Sequence, residues 1–171
     1  MIITCARHLE SETEDELRCI LEELGDSGSN ISITNMSGIL TAETNLDPIE
    51  VVRKMKGMVL DEPWSIRYCL RLIPIQRAVD TKIVEIERTI TEISEQILDN
   101  ETYRVSIEKR NSDISSQELI SKIANKLKNK VSLEFPDKVI LIEILGNKTG
   151  ISILKQSDIL SIEKTKRSIS E

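Results

Sequence analysis

The period of the apolar positions changes several times along the second half of the chain, and each change predicts an element. Over Tyr103–Asn111, Tyr103, Val105 and Ile107 alternate with Arg104, Ser106 and Glu108. A period of two predicts a half-buried strand, which here ends in the adjacent cations Lys109 and Arg110 and then Asn111. Ser115-Ser116-Gln117-Glu118 is a capping-box pattern that opens a helix. That helix carries Leu119, Ile120, Ile123, Ala124 and Leu127 on one side and Lys122, Lys126, Lys128 and Lys130 mostly on the other. Val131–Asp137 is expected to be a loop. Val139–Leu145 is nearly continuously apolar, as a central strand covered on both faces would be. Gly146-Asn147-Lys148-Thr149-Gly150 carries hairpin-turn chemistry, and Ile151–Leu154 returns as a strand. Upstream, Ile83, Ile86, Ile90, Ile93 and Ile97 predict a long core-facing helix over about Ala78–Leu98, with too few repeats for a coiled coil. From Ile159 onward the chain is rich in Ser and Lys, and residues 161–171 are expected to fray.

The first half reads as a smaller unit. Ile2–Ala6 is a short apolar run with the look of a strand. Ser11-Glu12-Thr13-Glu14 suggests a capped helix with Leu17, Ile20, Leu21 and Leu24 on one stripe, closed by Gly25. Ile31–Asn35 and Gly38–Glu43 flank a turn at Met36-Ser37-Gly38. Asp47-Pro48 opens a second helix with Pro at its first position, and Ser65–Ile73 supplies a last strand. The order strand-helix-strand-strand-helix-strand over residues 1–75 is the split βαβ pattern of a ferredoxin-like domain. Residues 76–160 form the second α+β unit. The joining segment Leu70–Ile75 is too apolar for a flexible linker, so the two units are expected to pack together.

Charge changes this picture. The whole chain is acidic, with a net charge of −6. The acid is concentrated in residues 1–70, which carry 6 Lys and Arg against 13 Asp and Glu, while residues 71–171 carry 17 against 16. A nucleic-acid footprint is therefore expected on the second half, since like charges repel a phosphate backbone from the first. Aromatics make up only 2% of the chain, which argues against recognition of single strands by stacking. No apolar run approaches the ~20 residues needed to span a bilayer, and the first residues are not expected to act as a signal peptide. Three cysteines without metal-ligand spacing suit the reducing cytosol.

No catalytic constellation emerges. There is no Gly-x-Gly-x-x-Gly after a strand, no Walker A sequence and no zinc-deaminase signature. His8, the one histidine, has no nucleophile beside it in a familiar pattern. No cofactor or metal is expected.

Tyr103–Arg110, Val131–Asp137, Val139–Leu145 and Gly150-Ile151-Ser152-Ile153, taken together, resemble a THUMP domain. The preceding unit and Arg71-Leu72-Ile73-Pro74-Ile75 are similar to stand-alone THUMP proteins that assist tRNA cytidine acetylation. Ser132 and Phe135 depart from the family pattern, which often has Asp and a polar residue there. The resemblance implies an RNA-binding protein, not itself an enzyme. Its partners would be tRNA, with no DNA and no membrane, and a tRNA cytidine acetyltransferase or another tRNA-modifying enzyme. By match to the family, Lys109, Arg110 and Arg71 become RNA-contacting candidates. Charge and expected loop placement add Arg77, Arg104, Asn111 and Lys148, with Arg71 and Arg77 extending the patch across the junction. The alternative is a protein-interaction or small-ligand regulatory module with no RNA role.

Overall fold

The computed structural model describes residues 1–170 and is an α+β fold. It divides into two compact units: Met1–Pro74 with the C-terminal segment from Ser157, and Ile75–Gln156. In the first unit the elements run β1 (Ile2–Cys5), α1 (Glu10–Glu23), β2 (Asn30–Ile33), β3 (Ile39–Glu43), α2 (Pro48–Asp61) and β4 (Cys69–Ile73). The strands form an antiparallel sheet in the order β2-β3-β1-β4. Ile3, Leu40 and Leu72 from this sheet meet Leu17 and Leu21 of α1 and Val52, Met55 and Val59 of α2 in one core.

Helix ends follow local chemistry, with one departure from expectation. Asp47 caps α2, its carboxylate accepting the Glu50 N–H at 2.9 Å. At the end of α1, Gly25 adopts a φ of 101° while the Asp26 N–H reaches back to the Leu21 carbonyl, a left-handed closure that glycine adopts without strain. The predicted cap at Ser11 does not form. The helix begins earlier, at Glu10, with Thr13 Oγ1 donating to the Leu9 carbonyl at 2.6 Å. Glu16 accepts the backbone N–H groups of Arg67, Tyr68 and Cys69 at 2.6, 3.0 and 3.0 Å. With those amides taken, the strand predicted from Ser65 starts only at Cys69.

Residues 161–170 of the tail expected to fray are ordered. Leu160–Ser161 forms β9, which pairs with β4, and α5 (Ile162–Ser170) follows. Leu160 and Ile162 join the core of the first unit, and Asp158 accepts from Arg53 at 2.9 Å. The Ser- and Lys-rich composition hides the close spacing of Leu160, Ile162 and Thr165, which are all buried.

The first unit also carries a pH-sensitive tie. The Asp26 carboxylate, 4% exposed, accepts from Thr44 Oγ1 at 2.5 Å, the Asn45 N–H at 2.9 Å and the Gly28 N–H at 3.1 Å. These bonds, the Thr44 hydroxyl's first, hold its pKa below the ordinary carboxylate value. A depressed folded-state pKa means stabilisation that is complete above the unfolded value of about 3.9 and lost as pH falls through the folded one. Asp26→Ala is therefore expected to lower the Tm at neutral pH, with the gap from wild type closing in strong acid. A gap independent of pH in thermal melts would refute the charged contribution.

The second unit runs β5 (Arg77–Asp80), α3 (Ile83–Ile93), β6 (Tyr103–Arg110), α4 (Ser116–Lys126), β7 (Lys138–Leu145) and β8 (Lys148–Leu154), in the sheet order β5-β8-β7-β6. β6 and β7 are parallel, with α4 as their crossover; β8 is antiparallel to both of its neighbours. The long predicted helix is shorter and starts later, because Ala78–Asp80 pairs with β8 as an edge strand. A 3-10 turn at Ser94–Gln96 ends it. The isoleucine stripe survives: Ile86, Ile90, Ile93 and Ile97 are buried against Ile140, Ile142, Ile144, Ile151 and Ile153 of the sheet, with Leu119 and Ile123 of α4. Ser115 caps α4 as expected, accepting the Glu118 N–H at 3.2 Å. Gly150 lies under the Ile75 side chain, and a Cβ there would meet it at 2.8 Å. Among the described residues no helix is long and apolar enough to cross a membrane.

Candidate functional site

Alternation along β6 decides where its cations point. Val105 and Ile107 pack against the core beside the helices, so Lys109 lies on that same face of the sheet. Arg110 lies on the opposite face with Arg104, Ser106 and Glu108. The two adjacent cations therefore do not form a single cluster. The Lys109 ammonium donates to the Ile114 carbonyl at 2.9 Å, bracing the loop into α4. The Arg110 guanidinium is 3.7 Å from the Glu143 carboxylate, which is 1% exposed.

Parallel register brings the carboxyl ends of β6 and β7 level, Arg110 opposite Leu145. The β7–β8 turn and the loop into α4 meet there, with the Gly146 N–H bonded to the Arg110 carbonyl at 2.9 Å. An open depression of about 550 Å³ lies at this edge, lined by Thr81, Asn111, Ser112, Asp113, Ile114, Gly146 and Asn147. Asn111, exposed, takes a φ of 53° to turn the chain out of the strand. Lys109, Arg110, Lys148 and Lys82 each lie within a residue or two of this lining in the chain. Lys148 is held by Asp80 at 2.8 Å, and that bond keeps the Asp80 pKa below its usual value. The carboxyl edge of a parallel strand pair is where α/β sheets commonly place ligands, since loop amides and a helix N-terminus converge there.

The other candidates lie elsewhere. Arg104 stands at the far end of β6, about 20 Å from Arg110 at ~3.3 Å per residue. Its guanidinium donates to the Leu133 carbonyl at 3.0 Å and to Gln156 Oε1 at 2.8 Å, so it fastens the loop between α4 and β7. Arg77 is exposed on the edge strand β5, level with Ile151, and donates to the Gln76 carbonyl at 3.0 Å. Arg71 belongs to the first unit, in β4 between Thr4 of β1 and Ser161 of β9. His8 is exposed in the turn after β1 with a φ of 70°. Among the described residues no group of three or more His, Cys, Asp or Glu is arranged to hold a metal. Lys82 and the polar lining from Thr81, Ser112 and Asn147 were not legible in the sequence, because they come from three connections that only the sheet order brings together.

Residues 80–154, which span α3, the β6–α4–β7 crossover and β8, match the family model of the THUMP domain. A THUMP domain is thus present in this chain. Every residue lining the carboxyl-edge depression falls within it. No curated protein matches the chain. Among solved structures, PH1313 from Pyrococcus horikoshii Ot3 is similar in fold, with a TM-score of 0.66 at 18% identity over 90% of this chain and 53% of its own. TrmN from Thermus thermophilus gives 0.62 at 12% identity over 89% of this chain and 44% of its own. A 4-thiouridine synthetase in an RNA complex with bound ATP gives 0.55 at 14% identity over 94% of this chain and 41% of its own. The chain thus spans about half the length, or less, of these structures, and the likeness is one of fold.

Proposed function

We propose that the protein binds tRNA through its THUMP domain and presents it, in the cytoplasm, to a separate tRNA-modifying enzyme, a cytidine N4-acetyltransferase. The presence of the THUMP domain, with cations flanking the carboxyl edge of its parallel strand pair, carries this reading. Lys109, Arg110 and Lys148, with Lys82 and the Asn111 side chain, would meet phosphates and riboses around the depression. Recognition by shape and backbone suits a folded RNA, whose deep major groove side chains cannot read. A fold shared with a 4-thiouridine synthetase crystallised with RNA supports the same reading. The first unit, whose strand order and antiparallel pairing suit a ferredoxin-like domain, would orient the RNA or dock the enzyme through its acidic α1 surface. The protein supplies no chemistry of its own in this scheme.

Binding of the purified protein to total tRNA, compared with duplex DNA of similar length at low and high salt, tests the RNA step. Preference for tRNA and loss of affinity with salt, as lysine–phosphate pairing requires, are expected. Equal or absent binding would overturn it. The adaptor step is tested by cytidine acetylation of tRNA by the purified acetyltransferase with and without this protein. Unchanged yields would sink that part alone.

A further inference from the structure

The loop Val131–Asp137 holds its apolar side chains out in water: Leu133 is 70% exposed and Phe135, the chain's one phenylalanine, 85%. A floppy loop could collapse to cover them. This one is fastened at both stems. The Tyr103 N–H binds the Lys130 carbonyl at 3.0 Å, and the Ser132 N–H binds the Tyr103 carbonyl at 2.9 Å. On the other side the Lys138 N–H binds the Thr102 carbonyl at 3.0 Å. The Asp137 carboxylate accepts from both the N–H and the hydroxyl of Thr102 at 2.8 Å, which holds its pKa below the usual range. The Arg104 guanidinium fixes the crest through the Leu133 carbonyl. Keeping an aromatic ring in water forgoes the free energy of burying it, and here the surrounding bonds enforce that.

Charge indicates what meets the ring. Lys130 and Lys138 stand at the two stems, bonded through their backbones to Tyr103 and Thr102 at the start of β6, and exposed Lys128 precedes them. Asp137 is committed to Thr102, which leaves exposed Glu134 as the acid beside Phe135. An aromatic platform flanked by cations is the arrangement that binds an unpaired nucleobase, the ring stacking on the base and the ammonium groups meeting the neighbouring phosphates. Against the expectation from the low aromatic content, we infer that Phe135, held 85% exposed, is a stacking residue for an unpaired nucleobase of the bound RNA, with Lys130 and Lys138 on the flanking phosphates. This rests on the RNA reading above and adds a second anchor at the opposite end of β6 from Arg110, the strand being about 23 Å long.

The test compares wild type and Phe135→Ala for binding to tRNA, to a short oligoadenylate and to a blunt RNA duplex of the same length. Removing the ring is expected to weaken oligoadenylate and tRNA binding about tenfold and to leave the duplex unchanged, as deletion of one base–aromatic stack does. The salt slope should not move, because every cation remains. Phe135→Trp in a Trp64→Phe background should retain the affinity and show indole quenching on oligoadenylate. Equal affinities of wild type and Phe135→Ala for oligoadenylate overturn the inference while tRNA binding persists, the result expected if the loop docks a protein instead. Absence of any tRNA binding by wild type removes the RNA reading and the stacking site together.

Discussion

Arg110→Glu is expected to destabilise the fold by about 2 kcal/mol, because it sets a second carboxylate against the buried Glu143. Glu143 sits in the middle of β7 with 1% of its side chain exposed, 3.7 Å from the Arg110 guanidinium. The substitution removes a favourable charge and puts a carboxylate in its place against a residue that water scarcely reaches. Arg110 is itself 39% exposed, so solvent screens part of the interaction and the figure falls below the roughly 3–5 kcal/mol of a fully buried pair. Arg110→Lys keeps the charge and should keep most of the stability. Lys109→Glu, one residue away, should leave stability within about 0.5 kcal/mol, because Lys109 is exposed and its bond to the Ile114 carbonyl is a surface one. Urea unfolding followed by circular dichroism separates the three variants. Equal stability of Arg110→Glu and wild type would show that Glu143 does not depend on this arginine.

This asymmetry bears on any binding experiment. A double charge reversal at Lys109 and Arg110 looks like the natural test when the two residues are read as one basic cluster. The strand places them on opposite faces, one bracing a loop and one beside a buried acid. Abolished RNA binding by that variant could report unfolding.

The sequence disclosed the elements built on strong periodicity. The alternation in Tyr103–Asn111 and the apolar run of Val139–Leu145 predict β6 and β7 within a residue, and Asp47 and Ser115 cap their helices as their positions suggest. The failures came where tertiary bonds outweigh local pattern. Ala78–Asp80 continues a helical stripe but is held as a strand by β8. Ser11 fits a capping box but is bypassed when α1 starts at Glu10, whose carboxylate takes the Gly38 N–H. The tail from Ile159 is Ser- and Lys-rich and expected to fray over 161–171, and burial of Leu160 and Ile162 orders its described residues. At the site, Lys109, Arg110, Asn111 and Lys148 do reach one edge of the sheet. Period-two alternation sets the first two, adjacent in sequence, on opposite faces of the sheet. Phe135 was visible only as a departure from a family pattern, since nothing local says that the loop would hold the ring in water.

Lys109→Glu with Lys148→Glu should weaken tRNA binding by about 30-fold at low salt and lower the salt slope by roughly one for each phosphate no longer neutralised. Both lysines are exposed, so the variant keeps its fold and the readout is binding. Lys148 is paired with Asp80, and removing that pair costs at most about 1 kcal/mol in an exposed setting. The reversed charges sit at the carboxyl edge, where the depression lined by Asn111, Ser112 and Asn147 opens. If the RNA also stacks on Phe135 at the other end of β6, the two anchors are more than about 10 Å apart and their effects should multiply in a combined variant. Phe135→Ala would then deepen the loss about tenfold further for tRNA without moving the slope. A double lysine variant that binds with unchanged affinity and slope would remove the carboxyl edge from the interface. A combined variant no weaker than the lysine variant would mean that the RNA cannot reach both ends of the strand at once.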